Sequence, residues 1–212
     1  MFTRFRLAST LAEFLGTAAL VLIALVLSEI TPVSYFVATS LAITLAAIVF
    51  IFGPISGAHF NPAITFGMWT ARRIGTLRAT AYVAAQMLGG LGAWQLYQYL
   101  NDKAVPAQSV TFNTTIWLAE AVGAFVLALG ITAAISRAVD SLQWAVTAGA
   151  TYFVGIMIAS TASAGYLNPA VAVGLRSWNA AYVLGPLVGA LVAVNLYHLL
   201  FSPSAVPVKR KR

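Results

Sequence analysis

The chain has 212 residues, of which 60% are apolar and 8% are charged, and its formal net charge is +7. A soluble domain carries about a quarter of charged residues, so this composition excludes a water-soluble fold and indicates a protein that crosses a membrane several times. The chain contains no cysteine, which excludes disulfides, thiolate metal sites and cysteine nucleophiles.

Six apolar segments are each long enough to cross a hydrocarbon core of about 30 Å. They cover residues 10–27, 34–52, 80–100, 117–135, 142–161 and 181–200. Two further apolar stretches, at about 61–71 and 168–175, are too short to cross and follow the second and fifth segments. The pattern predicts an all-α membrane protein with six transmembrane helices and two re-entrant half-helices, in a single transmembrane domain over residues 1–212.

Basic residues flank these segments in a way that predicts the orientation of the chain. With the N-terminus inside, ten of the twelve basic residues fall on the inner side, as the positive-inside rule requires. The inner set is Arg4, Arg6, Arg72, Arg73, Arg78, Arg137 and residues 209–212, and the outer set is Lys103 and Arg176. We therefore expect both termini in the cytoplasm and attribute the net charge to topology rather than to nucleic-acid binding. The short loops suggest a bacterial inner membrane.

The two halves of the chain repeat one another at an offset of 107 residues. Residues 13–16 (Glu-Phe-Leu-Gly) match residues 120–123 (Glu-Ala-Val-Gly), and residues 56–63 match residues 163–170. In both halves the glutamate precedes the asparagine of an Asn-Pro-Ala triplet by 48 residues. This duplication is very hard to obtain by chance.

The register of the repeat changes after the triplets. Tyr82 corresponds to Tyr182 at an offset of 100, so the second half has about seven fewer residues between its short helix and its last span. Because each half has three spans, the second half starts on the opposite side of the membrane. The two inverted repeats, at about 1–105 and 112–202, therefore meet at the bilayer midplane.

The two triplets carry the chemistry that the sequence offers at that midplane. They are Asn61-Pro62-Ala63 and Asn168-Pro169-Ala170. Proline suits the first position of a helix and asparagine suits the N-cap, so each triplet predicts the start of a short helix. The non-helical lead-in at 53–60 requires a site buried in protein or lining a wet cavity. With their oxygens engaged in capping, both asparagine NH₂ groups are expected to face this pore as free donors.

The arrangement favours a passive channel for neutral solutes. Two helix N-termini directed at one point repel cations, and a water that accepts from both asparagines interrupts proton hopping. The spans hold no histidine cluster and no carboxylate pair suited to acid–base work, so we expect neither an enzyme nor a bound cofactor or metal.

These motifs resemble those of the aquaporin (major intrinsic protein) family along essentially the whole chain. The resemblance implies six tilted helices and two half-helices that meet at the paired triplets, with one pore per subunit of a homotetramer. It also implies that Asn61 and Asn168 are the central pore donors, and that Glu13 and Glu120 accept hydrogen bonds from the re-entrant loops. His59 is expected to pack within its loop. A proton relay through the glutamates and a pH gate at the histidine are the alternatives.

The chain departs from the family at the selectivity filter. Water-specific members have an aromatic residue, a histidine, a small residue and an arginine there, and the same offsets here give Leu41, Ile156, Gly165 and Val171. Arg176 lies five residues beyond Val171, about 7.5 Å along a helix, and is too far away to replace the missing charge.

The altered filter predicts a wide pore with an apolar constriction. Such a pore suits glycerol-like solutes and neutral metalloid hydroxides such as arsenite and antimonite, with some passage of water. The first alternative is an ordinary water-selective aquaporin whose filter has drifted. A coupled secondary transporter is the alternative from a different class, because such proteins also use inverted repeats and broken helices.

Overall fold

The structure, a computed structural model, describes residues 4–109 and 111–201. Over these residues the chain forms eight helices, six long and two short. They are α1 (Arg4–Ile30), α2 (Ser34–Ser56), α3 (Pro62–Thr70), α4 (Thr76–Asn101), α5 (Thr114–Ser136), α6 (Ser141–Ala159), α7 (Pro169–Gly174) and α8 (Ala180–Leu200). The predicted all-α fold with six long helices and two half-helices is confirmed.

Five of the long helices, α1, α2, α5, α6 and α8, are both long and apolar enough to cross a membrane. The sixth, α4, has 26 residues and therefore a length of about 39 Å. It is less apolar because it carries residues such as Arg78, Gln86 and Gln98. All three have partners inside the protein: Arg78 binds Tyr82, Gln86 binds Glu13, and Gln98 accepts from the N–H of Val105.

The helices pack in equivalent pairs. In the first half α1 packs against α4, and in the second half α5 packs against α8, while α2 and α6 pack against each other across the two halves. Each short helix packs against a long helix of the other half: α3 packs against α8, and α7 packs against α4. Each half therefore holds the half-helix of the other, as an inverted repeat about an axis in the membrane plane requires.

Glycines at equivalent positions allow the closest of these helix contacts. A Cβ atom built on Gly89 would lie 2.5 Å from the carbonyl oxygen of Phe14, and one built on Gly189 would lie 2.0 Å from that of Ala121. Phe14 and Ala121 are themselves related by the offset of 107. The α1–α4 and α5–α8 contacts thus use the same backbone-to-backbone approach, which only a residue without a Cβ permits.

The seven residues missing from the second half come from two places. The half-helix α7 has 6 residues where α3 has 9, which accounts for three of the seven. The connections that follow, at 71–75 and 175–179, are equally long. Tyr82 is the seventh residue of α4 and Tyr182 is the third of α8, so the other four residues are absent from the start of the last helix.

The non-helical lead-in to the first triplet is shorter than predicted. We expected it at 53–60, but α2 continues through Pro54 to Ser56. Gly57 then ends the helix with a left-handed φ of 93°, and its N–H donates to the carbonyl oxygen of Gly53 at 3.0 Å. The lead-in is therefore confined to 57–60.

Candidate functional site

Each Asn-Pro-Ala triplet begins a short helix in the way its residue types dictate. Asn61 is the N-cap of α3, and its Oδ1 accepts from the N–H of Ala63 at 2.8 Å. Asn168 is the N-cap of α7, and its Oδ1 accepts from the N–H of Ala170 at 2.9 Å. The prolines occupy the first helical position, where no N–H partner is needed. The two N-termini are brought together at the centre of the bundle, where both asparagines line one cavity.

Neither asparagine NH₂ group is entirely free, which corrects the expectation from the sequence that both would be free donors. Nδ2 of Asn61 donates to the carbonyl oxygen of Leu167 at 2.9 Å, and Nδ2 of Asn168 donates to the carbonyl oxygen of Phe60 at 3.0 Å. One hydrogen of each NH₂ group therefore ties its half to the other half. The second hydrogen of each group is left for a solute.

The two buried glutamates bind the lead-in loops in matching ways. Glu13 accepts from the N–H of His59 at 3.0 Å and from that of Phe60 at 2.6 Å. Glu120 accepts from the N–H of Tyr166 at 3.0 Å and from that of Leu167 at 2.6 Å.

These bonds hold two residues in a conformation that costs energy. Phe60 and Leu167 have φ values of 46° and 54°, and the left-handed region costs a residue with a Cβ about 1–2 kcal/mol. The geometry is that of a structural brace in both halves.

Each carboxylate also accepts from one side chain, and here the halves differ. Oε2 of Glu13 accepts from Nε2 of Gln86 at 2.7 Å, whereas Oε1 of Glu120 accepts from Oγ of Ser163 at 2.8 Å. Gln86 also donates to Oγ1 of Thr65 at 2.9 Å and thereby joins α4 to α1 and α3.

His59 contacts residues of α3 and α4, and it also reaches the centre of the molecule. Its Nδ1 lies 3.0 Å from Oγ1 of Thr65, and its ring meets Tyr82 edge-on with centroids 5.5 Å apart. The side chain is buried and lines the same cavity as Asn61 and Asn168. The loop-packing role and the contact with the pore therefore coexist at one residue.

A small cavity of about 10 Å³ lies beside the two asparagines, which we name the central cavity. Its volume is about the room that one water molecule needs. The lining consists of the two asparagines, one histidine, one tyrosine and aliphatic or aromatic carbon. The residues are Leu20, Leu45, His59, Phe60, Asn61, Leu127, Ile131, Tyr152 and Asn168.

Tyr152 is a lining residue that the sequence analysis missed. It lies on α6 one turn before Ile156, and its side chain is 1% exposed. The signal was present in the repeat, because the offset of 107 aligns Tyr152 with Leu45. Both members of that pair face the central cavity.

A larger cavity of about 290 Å³, which we name the outer cavity, lies at the predicted outer side. Three of the four predicted filter residues, Leu41, Gly165 and Val171, line it together. Ile156 is fully buried and lies next to them, since a Cβ built on Gly165 would come within 3.2 Å of its Cγ2. The residue that lines the cavity at this place is Ser160, the C-cap of α6, four residues after Ile156.

Arg176 is held outside the outer cavity by contacts of its own. Its guanidinium lies 4.9 Å from the ring centroid of Trp94, and its Nη1 donates to the carbonyl oxygen of Val105 at 3.2 Å. Its backbone oxygen accepts from the N–H of Gln108 at 2.9 Å. Arg176 thus fastens the loop after α4 to the bundle, and its charge is not part of the lining that Val171 shares.

The two cavities together define what the site can do. Leu41 and Leu45 are one turn apart on α2, so the cavities are separated by about 6 Å along the helix axis. The outer cavity has an apolar wall at Leu41 and Val171 without a charge, and the central cavity adds amide donors. This combination can bind a small neutral molecule that carries oxygen, and the two helix N-termini disfavour a cation.

Comparisons with known proteins point to one family. The family model described as major intrinsic protein matches residues 3–198 of the chain. The aquaglyceroporin AqpS of Rhizobium meliloti (strain 1021) is 32% identical over 183 residues, which cover 79% of this chain and 75% of that protein. Aquaporin-4 of Homo sapiens is 33% identical over 184 residues, which cover 80% of this chain and 57% of that protein.

A solved structure supports the same fold. The X-ray structure of the aquaglyceroporin from Plasmodium falciparum matches with a TM-score of 0.75 over 92% of this chain and 96% of that chain. The sequences are 18% identical, so this likeness concerns the arrangement of the helices alone.

Proposed function

The chain belongs to the major intrinsic protein family, whose members are membrane channels for water or glycerol-type solutes, and we propose that it is a passive channel for small neutral solutes larger than water. The observation that carries the proposal is Val171 beside Leu41 and Gly165 in the wall of the outer cavity. These side chains supply neither charge nor side-chain hydrogen bonds at the level where water-specific relatives have an arginine.

The physical effect of this substitution favours larger solutes over water. A valine in place of a guanidinium removes up to five N–H donors and a fixed positive charge, and it occupies less volume. Water loses hydrogen bonds there and gains nothing from an apolar wall, because it has no apolar surface to bury. A polyol loses the same bonds but gains apolar contact and room for its cross-section.

The solutes that fit this description are glycerol and neutral metalloid hydroxides such as arsenite and antimonite. All three are uncharged and carry three hydroxyl groups on a compact body. The name of AqpS, an aquaglyceroporin, supports the glycerol part of the proposal. Water passes as a minor solute in this account.

The domain organisation, membrane, topology and oligomeric state of the channel are part of the same proposal. We propose a single transmembrane channel domain over residues 1–212, with inverted repeats at about 1–105 and 112–202, in the lipid bilayer of a bacterial inner membrane. Both termini face the cytoplasm, as the distribution of basic residues indicates. Residues 1–3 and 202–212, which include part of the basic set, lie outside the described residues. The family resemblance favours a homotetramer.

The experiment that tests the proposal is stopped-flow light scattering on proteoliposomes loaded with purified protein. Glycerol and arsenite gradients are compared with an osmotic water gradient, and empty liposomes give the background. The proposal expects glycerol and arsenite permeabilities well above background and no saturation with concentration. Passage of water alone would support the water-selective alternative. Saturable uptake that an uncoupler abolishes would support a coupled transporter.

A further inference from the structure

Six of the nine residues that line the central cavity form pairs related by the repeat, and one of these pairs consists of unlike residues. Three pairs of residues related by the offset of 107 have both members in the lining: Leu20 with Leu127, Leu45 with Tyr152, and Asn61 with Asn168. Two of these pairs consist of identical residues. In the third pair a leucine in the first half corresponds to a tyrosine in the second half.

The hydroxyl of Tyr152 has no hydrogen-bond partner among the described residues, although the side chain is 1% exposed. A buried hydroxyl without a partner costs free energy, and proteins rarely leave one unmatched. Its aliphatic neighbours in the lining, Leu20, Leu127 and Ile131, have no side-chain group that could form a hydrogen bond with it. The ring contributes to the wall of this cavity of about 10 Å³, and the smaller side chain of a leucine at this position would leave more room.

The hydrogen-bonding groups already present in the cavity indicate which role suits the hydroxyl of Tyr152. The asparagines present N–H groups, while their own oxygens accept from the helix starts at Ala63 and Ala170. The carbonyl oxygens of Phe60 and Leu167 already accept from the opposite asparagine. The asparagines therefore offer N–H donors to the cavity, and His59 is the other polar side chain of the lining besides Tyr152. A phenolic oxygen can both accept and donate.

We propose that Tyr152 is a specificity-determining residue of this channel. Its Oη accepts the hydroxyl hydrogen of a solute whose oxygen accepts from Asn61 or Asn168, and its ring sets the width of the pore at that level. This assignment rests on the proposed channel function and deepens it. It adds a selection for hydroxyl-bearing solutes at the central cavity to the effect of Val171 at the wider outer cavity.

Two substitutions test the contributions of the Tyr152 hydroxyl and of its ring separately. Tyr152→Phe removes only the oxygen, and Tyr152→Leu also removes the bulk and installs the residue that Leu45 supplies in the other half. The matched control is Tyr97→Phe, which removes the hydroxyl of another buried tyrosine that is not in the lining of the central cavity. Each variant is reconstituted at the same protein-to-lipid ratio. Water, glycerol and ribitol permeabilities are then measured by stopped-flow light scattering.

The expected result for Tyr152→Phe is a two- to tenfold loss of glycerol permeability, about the value of one hydrogen bond, while Tyr97→Phe matches wild type. Tyr152→Leu is expected to raise the ratio of ribitol to glycerol permeability several-fold, because the larger pentitol gains room. Wild-type glycerol permeability in Tyr152→Phe would overturn the role of the hydroxyl, whatever the leucine variant shows. An unchanged ribitol ratio in Tyr152→Leu would overturn the role of the ring.

The failure of this assignment is distinguishable from the failure of the channel function. If wild type conducts only water, the proposal of larger solutes fails, and the same variants are then compared by their water permeability. A loss in Tyr152→Phe relative to Tyr97→Phe still supports the hydroxyl, and equal values overturn it. If wild type conducts glycerol and the Tyr152 variants match it, the channel function stands and the assignment fails.

Discussion

Asn61 and Asn168 each bind the backbone of the other half of the molecule. Asn61 donates from Nδ2 to the carbonyl oxygen of Leu167, and Asn168 donates from Nδ2 to the carbonyl oxygen of Phe60, at 2.9 Å and 3.0 Å. Because the two accepting residues directly precede the two asparagines, the bonds close a ring between the repeats. The pair that is expected to bind the solute also joins the halves of the protein.

Asn168→Ala should therefore destabilise the protein more than the loss of a helix cap alone. The substitution removes the cap of α7, worth about 0.5–2 kcal/mol, and leaves the buried carbonyl of Phe60 without a donor, which costs a further 1–3 kcal/mol or thereabouts. The matched control is Asn113→Ala, because Asn113 caps the exposed start of α5 and binds only its own helix. Thermal unfolding in detergent, followed by tryptophan fluorescence, measures the difference. Equal losses would show that the bond between the halves contributes nothing.

Glu120→Gln should lower the stability of the protein. Solute flux should be insensitive to a proton gradient in both wild type and the variant. One carboxylate oxygen becomes an NH₂ group that faces a backbone N–H, and each buried donor left without an acceptor costs about 1–3 kcal/mol. Glu29→Gln is the control, since Glu29 forms an exposed pair with Lys103 and such pairs are worth about 0–1 kcal/mol. The unfolding temperature tests the brace. Glycerol flux in wild type that responds to an uncoupler, and ceases to respond in Glu120→Gln, would instead indicate a proton relay.

Gly189→Ala should disrupt the contact between α5 and α8. The added Cβ would lie 2.0 Å from the carbonyl oxygen of Ala121, and because that atom belongs to the backbone, the helices must separate. We expect a loss of several kcal/mol, at the upper end of what core overpacking costs, about 3 kcal/mol or more.

The same change at Gly75 provides the control. A Cβ there meets no atom within 4 Å, and its φ of −74° suits alanine. Gly75→Ala should stay within about 1 kcal/mol of wild type. The yield of folded protein and its unfolding temperature report both variants, and equal behaviour would mean that the tight α5–α8 contact is not required.

The absence of cysteine makes the chain a clean background for mapping the pore. Mercurial reagents should leave wild-type solute flux unchanged, because no thiol is present to react. In Val171→Cys the same reagents should block flux, and a reducing thiol should restore it. Leu184→Cys, at an exposed position on α8, should conduct with or without the reagent. Unblocked flux in Val171→Cys would remove Val171 from the conduction path.

The arrangement of helices could be predicted from the sequence because each part of it has a local cause. Six apolar segments fix the spans, the triplets at Asn61 and Asn168 fix the starts of the half-helices, and the repeat fixes their crossing. The ends of the helices could not be predicted in the same way. Over the described residues the helix α1 covers Arg4–Ile30, well beyond the apolar segment at 10–27, because hydropathy marks the part inside the hydrocarbon core and not the end of backbone hydrogen bonding.

The site was predicted less completely, for a physical reason. The sequence identifies residues that are unusual in type, such as Glu13 in an apolar span, but it does not show which apolar-looking positions face a cavity. Tyr152 was therefore overlooked among the aromatic residues of the spans. The donors of Asn61 and Asn168 were expected to be free, because a carbonyl group made available by a left-handed turn in the other half leaves no trace in the sequence.

The most direct test of the account is the ratio of glycerol to water permeability in wild type and in Val171→Arg, measured side by side in proteoliposomes. The arginine restores the charge and the guanidinium donors that are missing at position 171, and it narrows the outer cavity. The account predicts a high ratio in wild type and a fall of tenfold or more in Val171→Arg, with water permeability retained or raised. A wild-type channel that passes only water, or an arginine variant with the wild-type ratio, would contradict it.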